Sequence, residues 1–265
     1  MTASSEHKHP STNKKDTDSL PGAFEILLYS IRLTKRHAHD VYGFAAYLLF
    51  PIILTFGVQH VSGIFGEVLS AAVNVLLILI TCWIQATIIT TVSMRTAHPK
   101  KDPDSRSIGL YATSILGTLA LTILLSALLQ TAGYILFIIP GIIATTLFTF
   151  APQEVVLHGA GPLSALAASR AKVQHQFFPV LWRLFLLTAA VSGTFLFTTS
   201  FLLVLVGLGS GIDAATLANS TPAWLDAIIT VLQIVFLPLF IVGHTVLYLS
   251  LNEPEPSEVN GKSQE

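Results

Sequence analysis

A single cysteine, Cys82, occurs in the 265 residues. No internal disulfide can form, which excludes a disulfide-stapled scaffold. Charge is scarce as well. Asp, Glu, Lys and Arg make up 11% of the chain, less than half of the roughly 25% of an average soluble domain. Neither sign prevails, since the formal net charge is -1, so bulk charge gives no basis for nucleic-acid binding. Catalytic signatures are missing too: there is no phosphate loop ending in Gly-Lys-Ser/Thr, no Gly-x-Ser-x-Gly and no His-Glu-x-x-His. Asp213 and Asp226 are separated by a turn and a helix start and do not make a glycosidase-type carboxylate pair. The short alternating segments of a transmembrane β-barrel are absent.

What is abundant is apolar sequence, 52% of the residues, with a mean hydropathy of +0.68. It comes in long runs, which a water-soluble core does not need. Six runs reach or exceed the roughly 20 residues that cross a bilayer core as helix. They extend from about Val41 to Val58, Val68 to Met94, Ile108 to Gln130, Tyr134 to Leu157, Phe177 to Val206 and Ala223 to Leu251. The expected fold is therefore all-α: a polytopic membrane protein of six transmembrane helices. A single membrane domain is expected over residues 21–251. Residues 1–20, polar and without a secretory leader pattern, and residues 252–265 are expected to be disordered cytoplasmic tails.

Basic residues set the orientation. All 14 Lys and Arg fall on one side if there are six spans. Lys8, Lys14, Lys15, Arg32, Lys35 and Arg36 precede the first span. Arg95, Lys100, Lys101 and Arg106 lie between the second and third. Arg170, Lys172 and Arg183 flank the start of the fifth, and Lys262 is in the tail. The loops at Gly57 to Glu67, Thr131 to Gly133 and Gly207 to Pro222 carry none. Both termini are accordingly expected in the cytoplasm, with the protein in the cell inner membrane.

Local chemistry supports these boundaries. Thr221-Pro222 reads as an N-cap followed by a first-turn proline, with Asp226 near the positive end of the helix dipole. Pro179 begins the fifth span in the same way. Trp182, Trp224 and Tyr248 fall where an aromatic belt is expected, whereas Trp83 is mid-span and should pack on a neighbouring helix. Pro51 and Pro238 should kink their spans. Asn74, Gln85, Gln130 and Gln233 are expected as interhelical polar contacts, and the pairs Thr113/Gly117 and Ala189/Gly193 as close-packing positions. Gly207-Leu208-Gly209-Ser210-Gly211 reads as a flexible loop.

Two segments are too polar to span. Over Pro21 to His37, Phe24, Leu27, Leu28 and Ile31 form one stripe, and Glu25, Tyr29, Arg32 and Arg36 a polar one. Over Gly161 to Gln176, Leu163, Leu166 and Val173 stand beside Arg170 and Lys172. Both are expected as amphipathic helices in the cytoplasmic headgroup plane, where each basic group gains about 1 kcal/mol from anionic lipid.

The most distinctive stretch runs from Ile138 to Lys172. It reads Ile-Ile-Pro140-Gly141-Ile-Ile, then Phe150-Ala151-Pro152, then Val155-Val156-Leu157-His158-Gly159-Ala160-Gly161-Pro162, then Leu163-Ser164-Ala165-Leu166-Ala167-Ala168-Ser169. This resembles the YciC-like bacterial inner-membrane proteins and the related membrane domain of some glycerophosphodiester phosphodiesterases. His158 stands where that family often has an acidic residue. The resemblance implies a six-helix inner-membrane domain. It does not imply phosphodiesterase activity, which needs a separate soluble domain.

The same residues have a physical reading of their own. Pro140 cannot continue a helical ladder and Gly141 permits close approach, which suits either a tight hairpin or a discontinuous, substrate-facing helix. Glu154 is a carboxylate inside a span, a default functional candidate. His158 shares its helix face four residues on, and Arg170 or Arg183 could neutralise it. His244 lies in the sixth span, as a neutral core histidine or a proton relay. His37, His39 and Asp40, joined by His7 and His9, are too few and too loosely held for zinc, so no metal and no cofactor is expected. The candidate positions are thus Pro140, Gly141, Pro152, Glu154, His158, Gly159, Gly161, Ser169 and His244. The expected function is non-enzymatic support of membrane or envelope organisation, with membrane lipids and other membrane proteins as partners. The alternative is a transporter or permease for a small or amphipathic substrate.

Overall fold

A computed structural model describes residues 22–58, 61–97, 104–211, 216 and 222–251. The expected terminal tails lie outside the described residues. The described residues are helical, with no strand. A surface helix α1 (Ala23–Arg36) leads into the first span. That span is α2 (Ala38–Ala45), a 3₁₀ turn (Ala46–Leu48) and α3 (Leu49–Val58). The 3₁₀ turn adjoins Pro51, whose missing N–H and ring disfavour an unbroken α-ladder at this point. The second and third spans are α4 (Gly63–Ala97) and α5 (Ser105–Leu136). The fourth is divided into α6 (Ile138–Phe148) and α7 (Ala151–His158). A second surface helix, α8 (Pro162–Gln174), is followed by α9 (Phe177–Ser210) and α10 (Ala223–Ser250), the fifth and sixth spans. All six are long and apolar enough to cross a membrane.

Among the described residues, the ion pairs gather at one end of the bundle. Arg95, near the end of α4, donates to Asp40 of α2 at 2.9 Å. Asp104 caps α5 by accepting from the backbone N–H groups of Arg106 and Ser107, both at 3.2 Å. Tyr111 donates its hydroxyl to the Val156 carbonyl at 2.6 Å, joining α5 to α7. This basic end is the frame for the site below. The core runs along α4, α7 and α10, where Ile84, Ile88, Ile89, Phe150, Val155 and Leu247 are buried. Trp83 packs edge-on against Phe44 and Tyr47 and donates to the Gly109 carbonyl and to Thr113, both at 3.2 Å. The expected mid-span packing is thus observed. By contrast α9 buries almost none of its apolar length.

Several expectations are corrected. The turn between the third and fourth spans is at Phe137, whose backbone is extended, and α5 runs through Thr131 to Gly133. Close packing selects this position, because Gly133 lies 3.0 Å (from an ideal Cβ) from the Gly141 Cα, and a Cβ at Gly141 would enter the Tyr134 ring. The run Gly207 to Ser210 is the last turn of α9, ended by Gly211 in the left-handed region. Pro222 itself occupies the N-cap position of α10, and Thr221 lies outside the described residues. Gly117 and Gly193 face open space; the close approach is at Gly243, where a Cβ would stand 2.8 Å from Leu187. Helix α1 docks through Ile26, Ser30 and Thr34, because small hydroxyl residues let it approach α9 and α10 closely. Phe24, at the head of the anticipated stripe, is 70% exposed.

Candidate functional site

Helix α7 is a product of its flanks. Phe150 leaves helical geometry and divides it from α6. Pro152 occupies the first turn, where its missing N–H has no ladder partner to lose. The helix stops at Gly159, which takes a left-handed φ of 64°. There the Gly159 N–H donates to Val155 O at 3.0 Å and the Ala160 N–H to Glu154 O at 3.4 Å, a glycine-dependent helix stop. Gly161 is extended, and Pro162 begins α8. This turn folds α8 back under α7. Ser169, fully buried, fastens it. Its hydroxyl accepts from Phe150 N–H at 3.2 Å and donates to Leu147 O at 2.7 Å. The α6–α7 break thus has its backbone groups satisfied from α8.

Glu154 is buried at the centre of a four-residue cluster. Lys172 of α8 donates to its Oε1 at 2.8 Å, and Tyr248 of α10 donates its hydroxyl to the same oxygen at 3.0 Å. His158 Nδ1 is 3.1 Å from Oε2 and 3.1 Å from the Tyr248 hydroxyl. With the tyrosine proton directed at the carboxylate, the imidazole hydrogen belongs on Nδ1. Lys172 also donates to the Tyr248 hydroxyl at 2.8 Å and lies 4.1 Å from its ring centroid. Tyr248 is fully buried, packed against Phe150. It is not part of an interfacial belt, although Trp182 and Trp224 are exposed as a belt requires.

The carboxylate therefore has three donors on its two oxygens, one of them the Lys172 cation. A charge withdrawn from water is held in this way only when it is paired and hydrogen-bonded. Chemically, the cluster ties α7, α8 and α10 together, and only the half-exposed His158 ring reaches outward.

Of the residues singled out from sequence, Glu154 and His158 meet directly, and Pro152, Gly159, Gly161 and Ser169 build the turns that hold them. Pro140 and Gly141 stand at the far end of the fourth span, in the first turn of α6 just after the extended Phe137. His244 turns to its own helix, with Nδ1 2.8 Å from the Phe240 carbonyl and its ring on Phe240 at 4.0 Å. The cation opposite Glu154 is Lys172: Arg170 is exposed, and Arg183 donates to the Pro179 carbonyl at 3.2 Å. Sequence reasoning missed Lys172, Tyr248 and Gln153. The last is buried with its amide oxygen unpaired. No local signal marked Tyr248, because His244 four residues before it turns to the Phe240 carbonyl and not to the cluster. Asp40 is engaged by Arg95, and no metal-ligating cluster occurs among the described residues.

A second feature is a groove of about 430 Å³ between the first span and α9, floored by α4 and α10. Its walls are apolar, including Leu48, Leu77, Phe195 and Phe240, with Gln233 on α10 among them. Gln233 is exposed there. Among the four amides expected to bridge helices, Gln130 accepts from Thr145 at 3.5 Å. Asn74, Gln85 and Gln233 make no side-chain hydrogen bond to the described residues; Asn74 and Gln233 are exposed along grooves, and Gln85 is half-buried.

No family model, no curated protein and no solved structure matches the chain.

Proposed function

We propose that the protein is a non-enzymatic integral membrane protein that supports membrane or envelope organisation by holding lipids and neighbouring membrane proteins along its flanks. The resemblance to YciC-like proteins supports a bacterial inner membrane as its setting. The positive-inside asymmetry supports cytoplasmic termini and a cytoplasmic basic end.

The observation that carries this reading is the lateral groove between the first span and α9. Its apolar walls suit an acyl chain or a partner's side chains, and α9 leaves most of its own surface to the bilayer. The polar cluster favours the same reading from the other direction. Glu154, Lys172 and Tyr248 already hold one another, which suits fastening helices better than turning over a substrate. The permease alternative needs Pro140-Gly141, Glu154 and His244 along one path, but Pro140-Gly141 stand at the other end of the fourth span from Glu154, and His244 is engaged by the Phe240 carbonyl of its own helix.

The test is gentle extraction of the full chain into polymer-bounded discs, followed by quantification of co-purified lipids and proteins. Enrichment of specific lipids or membrane proteins over the bulk membrane is expected. Recovery of a lone monomer with bulk-composition lipid would overturn the proposal.

A further inference from the structure

The polar stripe of α1 does not simply face water. Glu25, Tyr29 and Arg32 lie on one side of a second cleft of about 430 Å³, between α1 and the last turns of α10 at the basic end. Its apolar lining comes from Ile26 and Leu28 of α1 and from Val246 and Leu249 of α10. The cleft therefore has the amphipathic grading of a bilayer interface: hydrocarbon-compatible walls and a polar, charged rim.

The rim carries one charge of each sign. Glu25 has one oxygen, Oε2, on the Gly22 N–H at 3.1 Å, which leaves Oε1 for another donor. Arg32 and Glu25 stand seven residues apart, about 10 Å along the helix, and make no ion pair with each other or with another described residue. Tyr29 stands between them, 45% exposed. A guanidinium is suited to a phosphate, and a carboxylate to a primary ammonium. A purely anionic headgroup would satisfy Arg32 but leave Glu25 facing negative charge.

We propose that this cleft binds an aminophospholipid of the surrounding bilayer. Arg32 holds the phosphate, Glu25 receives the ammonium, and one acyl chain lies along Ile26, Leu28, Val246 and Leu249. The inference rests on the lipid-holding reading above and names the lipid class for one site.

The test reconstitutes the full chain in vesicles of equimolar phosphatidylethanolamine, phosphatidylglycerol and phosphatidylcholine. The protein is then released into detergent, and the lipids retained are counted by native mass spectrometry. Phosphatidylethanolamine is expected to be retained about threefold over the other two, the scale of an exposed charge pair. Glu25→Gln should abolish that preference, and Arg32→Gln should lower retention of all three lipids, because each carries the phosphate that Arg32 holds. Glu25→Gln keeps the helix start, because glutamine serves equally at the third helical position. Equal retention of phosphatidylglycerol, or a preference untouched by Glu25→Gln, would overturn the assignment while leaving the lipid-holding reading intact. Retention of no lipid by the wild-type protein would overturn both.

Discussion

Replacing Lys172 with methionine isolates the energetics of the buried cluster. The substitution keeps an unbranched apolar stem but removes the ammonium that stands 2.8 Å from Glu154 Oε1 and 2.8 Å from the Tyr248 hydroxyl. The glutamate side chain is 6% exposed, so water cannot replace the lost donor. Breaking a buried pair by deleting one partner costs about 3–5 kcal/mol. The lysine side chain is itself 21% exposed, so the low end, about 3 kcal/mol, applies here. For a domain of this size that corresponds to a fall in Tm of roughly 6–12 °C. The assay is thermal unfolding of the detergent-solubilised protein followed by tryptophan fluorescence. The double variant Lys172→Met with Glu154→Gln provides the control. With both charges gone the desolvation penalty disappears, and most of the lost Tm should return. A single variant that unfolds within about 1 °C of wild type, far below the loss for a broken buried pair, would refute the reasoning. So would a double variant whose loss equals the sum of the two single ones.

Three further outcomes are expected. Ser169→Ala leaves the Phe150 N–H and the Leu147 carbonyl without their partner; it should cost about 1–3 kcal/mol, read in the same thermal assay. Gly243→Val forces a branched side chain into Leu187, already 2.8 Å from where a Cβ would lie. A loss of about 1–3 kcal/mol from overpacking the α9–α10 contact is expected, whereas Gly193→Ala, facing open space inside α9, should unfold no lower than wild type, because alanine favours a helix interior by about 0.5–1 kcal/mol over glycine. A reporter fused to the carboxyl end should be active on the cytoplasmic side, because six crossings return the chain to the side of its basic loops. Activity outside the cytoplasmic membrane would refute that topology.

The six spans, their all-α character and the gathering of the described basic residues at one end were legible in the residue order itself. Each depends on a property summed along a contiguous run: about 20 apolar residues to cross the core, or Lys and Arg counted loop by loop. The end of the fourth span near Leu157 and a new helix from about Gly161 were legible for a similar reason, and the structure places them at His158 and Pro162, where local backbone preferences act. Glu154 stood out because a carboxylate in a span is costly wherever its partner lies.

The identity of that partner was decided only in three dimensions. Lys172 and Tyr248 lie 18 and 94 residues from Glu154 along the chain, and no periodicity distinguishes Lys172 from Arg170 two positions earlier. Tyr248 read as an interfacial aromatic because its distance from the helix end suited a belt, yet α7 and α8 cover it completely. The docking face of α1 was rotated from the expected stripe for a related reason, with Leu27, Leu28 and Ile31 left half-buried. Hydrophobicity marked Phe24 and Leu28, but contact with α9 and α10 rewards the closeness that Ser30 and Thr34 permit. In a bilayer, apolar surface is satisfied equally by lipid and by protein. Hydropathy therefore identifies which segments enter the membrane, and steric fit with polar pairing decides which faces meet inside it.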